Sequence, residues 1–134
     1  MTAKQYLGRV RRVDREISAL LRMVEKTRES VTSITQKYDS DGAQSTKDPH
    51  KFDKLAELES LVDEKVDQLV DLKAEVLNTI MQLKDRRHRE VLIDYYLNMM
   101  TWEQVAVDCN YSYQHTHRIH GRALQELQKI LNKQ

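Results

Sequence analysis

Between Ser112 and Arg122 the chain places Tyr113, Gln114, His117, Arg118 and Arg122 at spacings that share the polar face of one helix. Glutamine pairs with adenine through N6 and N7, and arginine pairs with guanine through O6 and N7. Gln114 and Arg118 are therefore expected to read base edges. Tyr113 and His117 are expected to meet a thymine methyl, a base edge or the backbone. Ser112 and His115, at the start of the same helix, complete the candidate set. A solvated helix face carries the same residue types, and most protein–DNA contacts go to phosphate and sugar. The weight of the reading falls on the elements that hold these side chains.

Those elements are legible from Thr101 to Leu131 as a helix, a short turn and a second helix. Thr101 and Ser112 are N-cap residues, each with a hydroxyl able to accept an orphan backbone N–H. Val105 and Ala106 face inward, with Ala106 small where the two helix axes cross. Cys109 ends the first helix as a buried small apolar group. Asn110 stands where the turn requires a left-handed residue, and Tyr111 plugs the turn into the core. Thr116, Ile119, Ala123, Leu124 and Leu127 continue one apolar stripe along the second helix. Two helices so joined are the usual means of laying a helix in the major groove of double-stranded DNA.

The same residues carry a family resemblance. With the preceding RRHREVLIDYYLNMM, the segment resembles the fourth conserved region of bacterial sigma factors. That region has an Arg-Glu-Val-Leu helix, a Thr-x-Glu-Glu-Ile-Ala helix and a Ser-led recognition helix closing in Arg-Ala-Leu. Arg89, Glu90, Val91, Leu92, Thr101, Glu103, Val105, Ala106, Ser112, Ile119, Arg122, Ala123 and Leu124 match it, over residues 86 to 134. The resemblance implies a DNA-binding helix-turn-helix domain. It departs at the recognition helix, where the family's Arg-Glu pair and later Gln are replaced by Tyr113, Gln114 and Arg118, so the family's promoter preference does not carry over. The whole chain, opening MTAKQYLGRVRRVDREI, also resembles short proteins of phages and mobile elements of Gram-positive bacteria.

Upstream, Tyr6, Val10, Val13, Ile17, Leu20, Val24, Thr27, Val31, Ile34 and Tyr38 alternate in steps of four and three, a heptad seam. A second run from Phe52 to Leu83 carries Leu55, Leu58, Val62, Leu69, Leu72, Val76, Ile80 and Leu83, with Lys65 and Lys73 interrupting or flanking it. Between the runs lies the polar YDSDGAQSTKDPHK, a connection expected over residues 39–50. Net charge divides as +5 over residues 1–38, −6 over 39–85 and +2 over 86–134. A basic first arm therefore meets an acidic second one, as an antiparallel pair requires. The expected fold is all-α. A long coiled-coil-like antiparallel hairpin over residues 1–84 serves for oligomerisation, and a three-helix helix-turn-helix domain fills 85–134. Leu7, Leu21, Leu61 and Leu77 extend the stripes beyond what one partner helix covers, so self-association as a homodimer is expected.

Other constellations are weaker. Of His115, His117 and His120 only the last two share a face, with no further ligand nearby. Structural zinc needs four, so no metal is expected, and the histidines are assigned to the DNA-facing surface. Asp63, Asp67 and Asp71 form an acidic ladder that reads as a solvated face. Trp102 is expected to anchor the motif against Tyr95 or Tyr96. One cysteine excludes an internal disulfide. No phosphate-cradling glycine loop or nucleophile motif appears, so neither cofactor nor enzymatic activity is expected. No apolar run is long enough to span a membrane, and a cytoplasmic location is expected. Two functions follow: a sequence-specific transcription regulator, or an interaction module that docks on RNA polymerase or another regulator through a sigma-like domain.

Overall fold

The structure, a computed structural model, describes the backbone of residues 1–41 and 49–134 and the side chains of residues 1–32 and 50–134. Among the described residues every regular element is helical: α1 (Ala3–Asp41), α2 (Pro49–Ile80), α3 (Arg86–Leu92), α4 (Trp102–Cys109) and α5 (Tyr113–Asn132), with a π-helical turn over Ile93–Leu97. The expected connection falls mainly on residues 42–48, outside the described residues. So do the side chains of Ile34 and Tyr38 at the end of the seam. Helix α1 continues to Asp41, and α2 opens on Pro49, whose missing N–H costs nothing at a first helical position.

The chain forms two compact units, Asp14–Gln68 and a second made of Met1–Val13 with Leu69–Gln134. In the first, α1 and α2 run antiparallel along the heptad seam, where Ile17, Val24, Val31 and Val62 are buried. Lys65 holds a seam position, and its ammonium leaves the interface to reach Glu16 at 3.1 Å. Arg28 pairs with Glu59 at 3.0 Å. Asp63 and Asp67 point to solvent, as does Asp71 of the other unit.

The second unit closes a core from several directions. Leu7 and Val10 of α1, Val76 and Ile80 of α2, Val91 and Leu92 of α3, Val105 of α4, and Ile119 and Leu127 of α5 are fully buried. Leu7, expected as an uncovered flank, is thus a core residue, because this part of α1 has more than α2 to pack against. Polar anchors fix the first turns of α1. Gln128 accepts from the Ala3 N–H at 2.7 Å, and the Tyr6 and Thr79 hydroxyls lie 2.8 Å apart. The Arg11 guanidinium donates to the Tyr95 carbonyl and lies 4.1 Å from the Tyr95 ring centre. At the π turn the Asn98 N–H reaches the Ile93 carbonyl at 2.9 Å, and Met99 adopts φ 57° to redirect the chain into α4.

Candidate nucleic-acid interface

Helix α4 begins with a complete capping box. Thr101 accepts from the Gln104 N–H, and Gln104 accepts in return from the Thr101 N–H. It ends in a Schellman closure around Asn110, which sits at φ 60°, ψ 45°. The Tyr111 N–H donates to the Ala106 carbonyl at 2.9 Å and the Asn110 N–H to Val107 at 3.2 Å, which satisfies carbonyls the helix would otherwise leave open. Ser112 then caps α5 by accepting from the His115 N–H at 3.1 Å. These short-range bonds fix the turn between the helices. Ala106, buried and small, lets them pack closely.

The packing beneath is apolar and aromatic. Val91, Val105 and Ile119 form its centre, with Tyr95, Met100, Trp102, Cys109 and Tyr111 packed around them. Trp102 stacks on Tyr95 with ring centres 3.8 Å apart, the anchoring role read from the sequence. Cys109 is half-buried rather than buried, because its Sγ turns toward Asp94 at 3.8 Å. Burial first, and the nearby carboxylates second, push that thiol up to about 11.

Of the candidate set, Ser112, Tyr113, Gln114, Arg118 and Arg122 are exposed along α5. His115 is half-buried with its ring edge-on to Tyr111 at 5.0 Å. His117 is also half-buried, between Trp102 at 4.7 Å and Tyr113 at 4.5 Å, and its Nε2 is buried with no hydrogen-bond partner. The fold therefore leaves Tyr113, Gln114, Arg118 and Arg122 exposed on a helix held by its caps, with Gln114, Arg118 and Arg122 following one another at four-residue steps.

His120 corrects the sequence reading. Its spacing from His117 places it on the DNA-facing surface, but its ring lies 4.5 Å from Trp102 and hydrogen-bonds the Tyr96 hydroxyl at 2.9 Å. One turn of α5 beyond Thr116, it faces the aromatic layer rather than solvent. Burial, with the charges of His117 and Lys4 adding, lowers its pKa to about 4, so the ring is neutral. Tyr96 beside it is pushed up to about 12, chiefly by burial.

Among the described residues, one cluster brings metal-ligand types together. Ligand atoms of Asp94, Asp108 and Cys109 lie within 4.8 Å of one another. Burial, then the proximity of Asp108, raises Asp94 to about 6. The cluster supplies three ligands of mixed hard and soft character, one fewer than a structural metal site takes. Sequence reasoning missed a different feature, a groove beside Arg122 that includes Lys84 and His88. Nothing local announces it, since its walls are more than thirty residues apart.

Residues 81–129 match the family described as sigma-70, region 4. No curated protein and no solved structure matches the chain. The matched span takes in α3, the π turn, α4 and most of α5. The C-terminal portion is thus a sigma-70 region 4-like helix-turn-helix, and this class points to DNA binding. Among the described residues no helix is long and apolar enough to cross a membrane.

Proposed function

We propose that the protein is a sequence-specific DNA-binding transcription regulator, of the type carried by phages and mobile elements, that reads the major groove with α5. One observation carries this reading. The N-terminal half of α5 is capped by Ser112 and backed by Val105 and Ile119, and it turns Gln114 and Arg118 to solvent. A recognition helix reads bases from its N-terminal residues, and these two side chains are suited to adenine and guanine. Ser112, Tyr113, His115, His117 and Arg122 are assigned to backbone and shape contacts around them. His117, wedged between Trp102 and Tyr113, would contribute through the edge it leaves exposed. Self-association through α1 and α2 would hold two such heads in one particle, which offsets the modest charge of each.

Selection of bound sequences from a random double-stranded pool tests the reading. The wild type should enrich one site, in two half-copies if the protein is a dimer. Gln114→Ala and Arg118→Ala should each lose about 1–3 kcal/mol of discrimination at one base position. Enrichment of no site, together with capture of RNA polymerase that survives both substitutions, would instead establish the docking function. Val107, 82% exposed on the outer face of α4, is the apolar residue best placed to serve such a contact.

A further inference from the structure

We propose that the groove flanking the C-terminal half of α5 is a second DNA contact, a clamp for backbone phosphates beyond the bases that the N-terminal half reads. The proposal rests on the DNA-reading assignment above and extends its footprint. The groove encloses ≈ 410 Å³, with Lys84 and His88 on one wall and Arg122, Lys129 and Lys133 on the other. Its two acidic residues are already engaged. Asp85 accepts from the Arg87 guanidinium at 3.0 Å and from the Arg87 backbone N–H at 2.9 Å, and Glu126 holds Lys129 at 3.0 Å. Among the described residues, Lys84, Arg122 and Lys133 make no ion pair. Three unneutralised cations in one concavity repel one another and draw an anion.

Position along the helix identifies that anion. Gln114, Arg118, Arg122, Gln125 and Lys129 follow one another in steps of four, four, three and four, so one polar row runs from the reading residues into the groove. Arg122 belongs to both. From Arg118 to Lys129 the helix advances about 16 Å, too far for the later cations to reach the bases that Arg118 reads. A helix leaving the major groove meets the sugar–phosphate backbone next, and lysine serves phosphate as a compact point charge.

The test compares wild type with Lys84→Gln/Lys133→Gln, two side chains outside the reading set, on the selected DNA site over a series of salt concentrations. Each lost phosphate contact lowers the slope of log K against log salt by about 0.9, so the double variant should lose about two from the slope. Affinity at moderate salt should fall about tenfold while base preference stays unchanged. Glu126→Gln, which frees Lys129, should tighten binding severalfold and steepen the slope. Wild-type slope and affinity in the double variant would overturn the clamp. Loss of inorganic pyrophosphate binding in that variant, with an unaltered DNA slope, would also overturn it and assign the groove to a small anion. Neither result touches base reading, whose own failure shows as a wild type that selects no site.

Discussion

The unit that carries the helix-turn-helix and the α1–α2 pair over Asp14–Gln68 are built from the same amphipathic material and reach different depths of burial. Leu7, Ile80, Leu92, Ile119 and Leu127, the largest fully buried side chains, all lie in the first. In the second, Ile17, Val24, Val31 and Val62 keep 5–8% of their surface, while Leu21 and Met23 are half exposed. A helix with one partner buries one stripe; only helices crossing at several angles close a core. A second copy, under the proposed self-association, would supply the neighbours that the seam lacks.

The largest expected effect follows directly. Ile119→Ala should destabilise by roughly 3 kcal/mol, within the range for deleting a fully enclosed aliphatic side chain. Val24→Ala should cost about 1 kcal/mol, because fewer atoms are removed and the seam is open to water on one side. Urea unfolding followed by circular dichroism measures both. Equal costs would break the comparison and show the seam to be as enclosed as the core. A Val24→Ala effect that grows with protein concentration would sharpen it, by linking the seam to association.

The pH dependence of the same unit is expected next in size. The His120 pKa lies near 4 in the folded state against 6.5 when unfolded, so the unfolded chain binds the proton first. Its contribution is therefore fully present above 6.5 and lost as pH falls toward 4. With the ring partly reached by solvent, the loss should be on the order of 1–2 kcal/mol. Asp94 has the opposite sign. Raised to about 6 from 3.8, it favours the fold below 3.8 and loses that contribution as pH rises through 6. The two oppose each other across the acid range, which flattens the wild-type profile. His120→Phe should expose the Asp94 trend, with stability falling from pH 4 to 6. Asp94→Asn should expose the His120 trend, with stability rising over the same interval. Thermal melts of both variants over this range decide it, and parallel profiles would show that neither group titrates as its burial implies.

How much of this was legible in the sequence depended on how far apart the interacting residues stand. The caps at Thr101 and Ser112, the left-handed Asn110 and the Trp102 anchor are interactions between near neighbours, and each was read from residue type and spacing. The seam was read from its period. His120 was misassigned because helical spacing tells which residues share a face but not how wide the buried arc is, and the bulky layer of Tyr95, Tyr96 and Trp102 widens it. The bond from Arg11 to the Tyr95 carbonyl and that from Ala3 to Gln128 join residues 84 and 125 positions apart. No periodicity encodes such pairings. The groove at Lys84 and Lys133 is hidden for the same reason.

Asn110 offers a smaller test of the turn. Any L-residue without a short polar side chain pays a left-handed penalty there, so Asn110→Ala should cost about 1 kcal/mol, whereas Asn110→Gly should be neutral or slightly stabilising. The pair separates conformational strain from lost contacts, since both remove the side-chain amide. If both substitutions destabilise equally, the amide itself contributes and the turn is held by more than backbone geometry.

The smallest effect belongs to the ion pairs of the α1–α2 seam. Arg28 and Glu59 meet at 3.0 Å, but their side chains are 54% and 46% exposed. Water screens such a pair and two long side chains lose freedom in forming it, so a double-mutant cycle should return no more than about 0.5 kcal/mol, vanishing at high salt. The opposite charges of the two arms then act chiefly on alignment, by disfavouring pairings that set like charges opposite, while the buried valines supply the stability. A coupling of about 2 kcal/mol that persists in high salt would reverse that division, because only a pair shielded from solvent keeps such a value. It would mean that a second copy covers the seam at this point, and so would connect a half-exposed pair to the proposed self-association through the open apolar stripes.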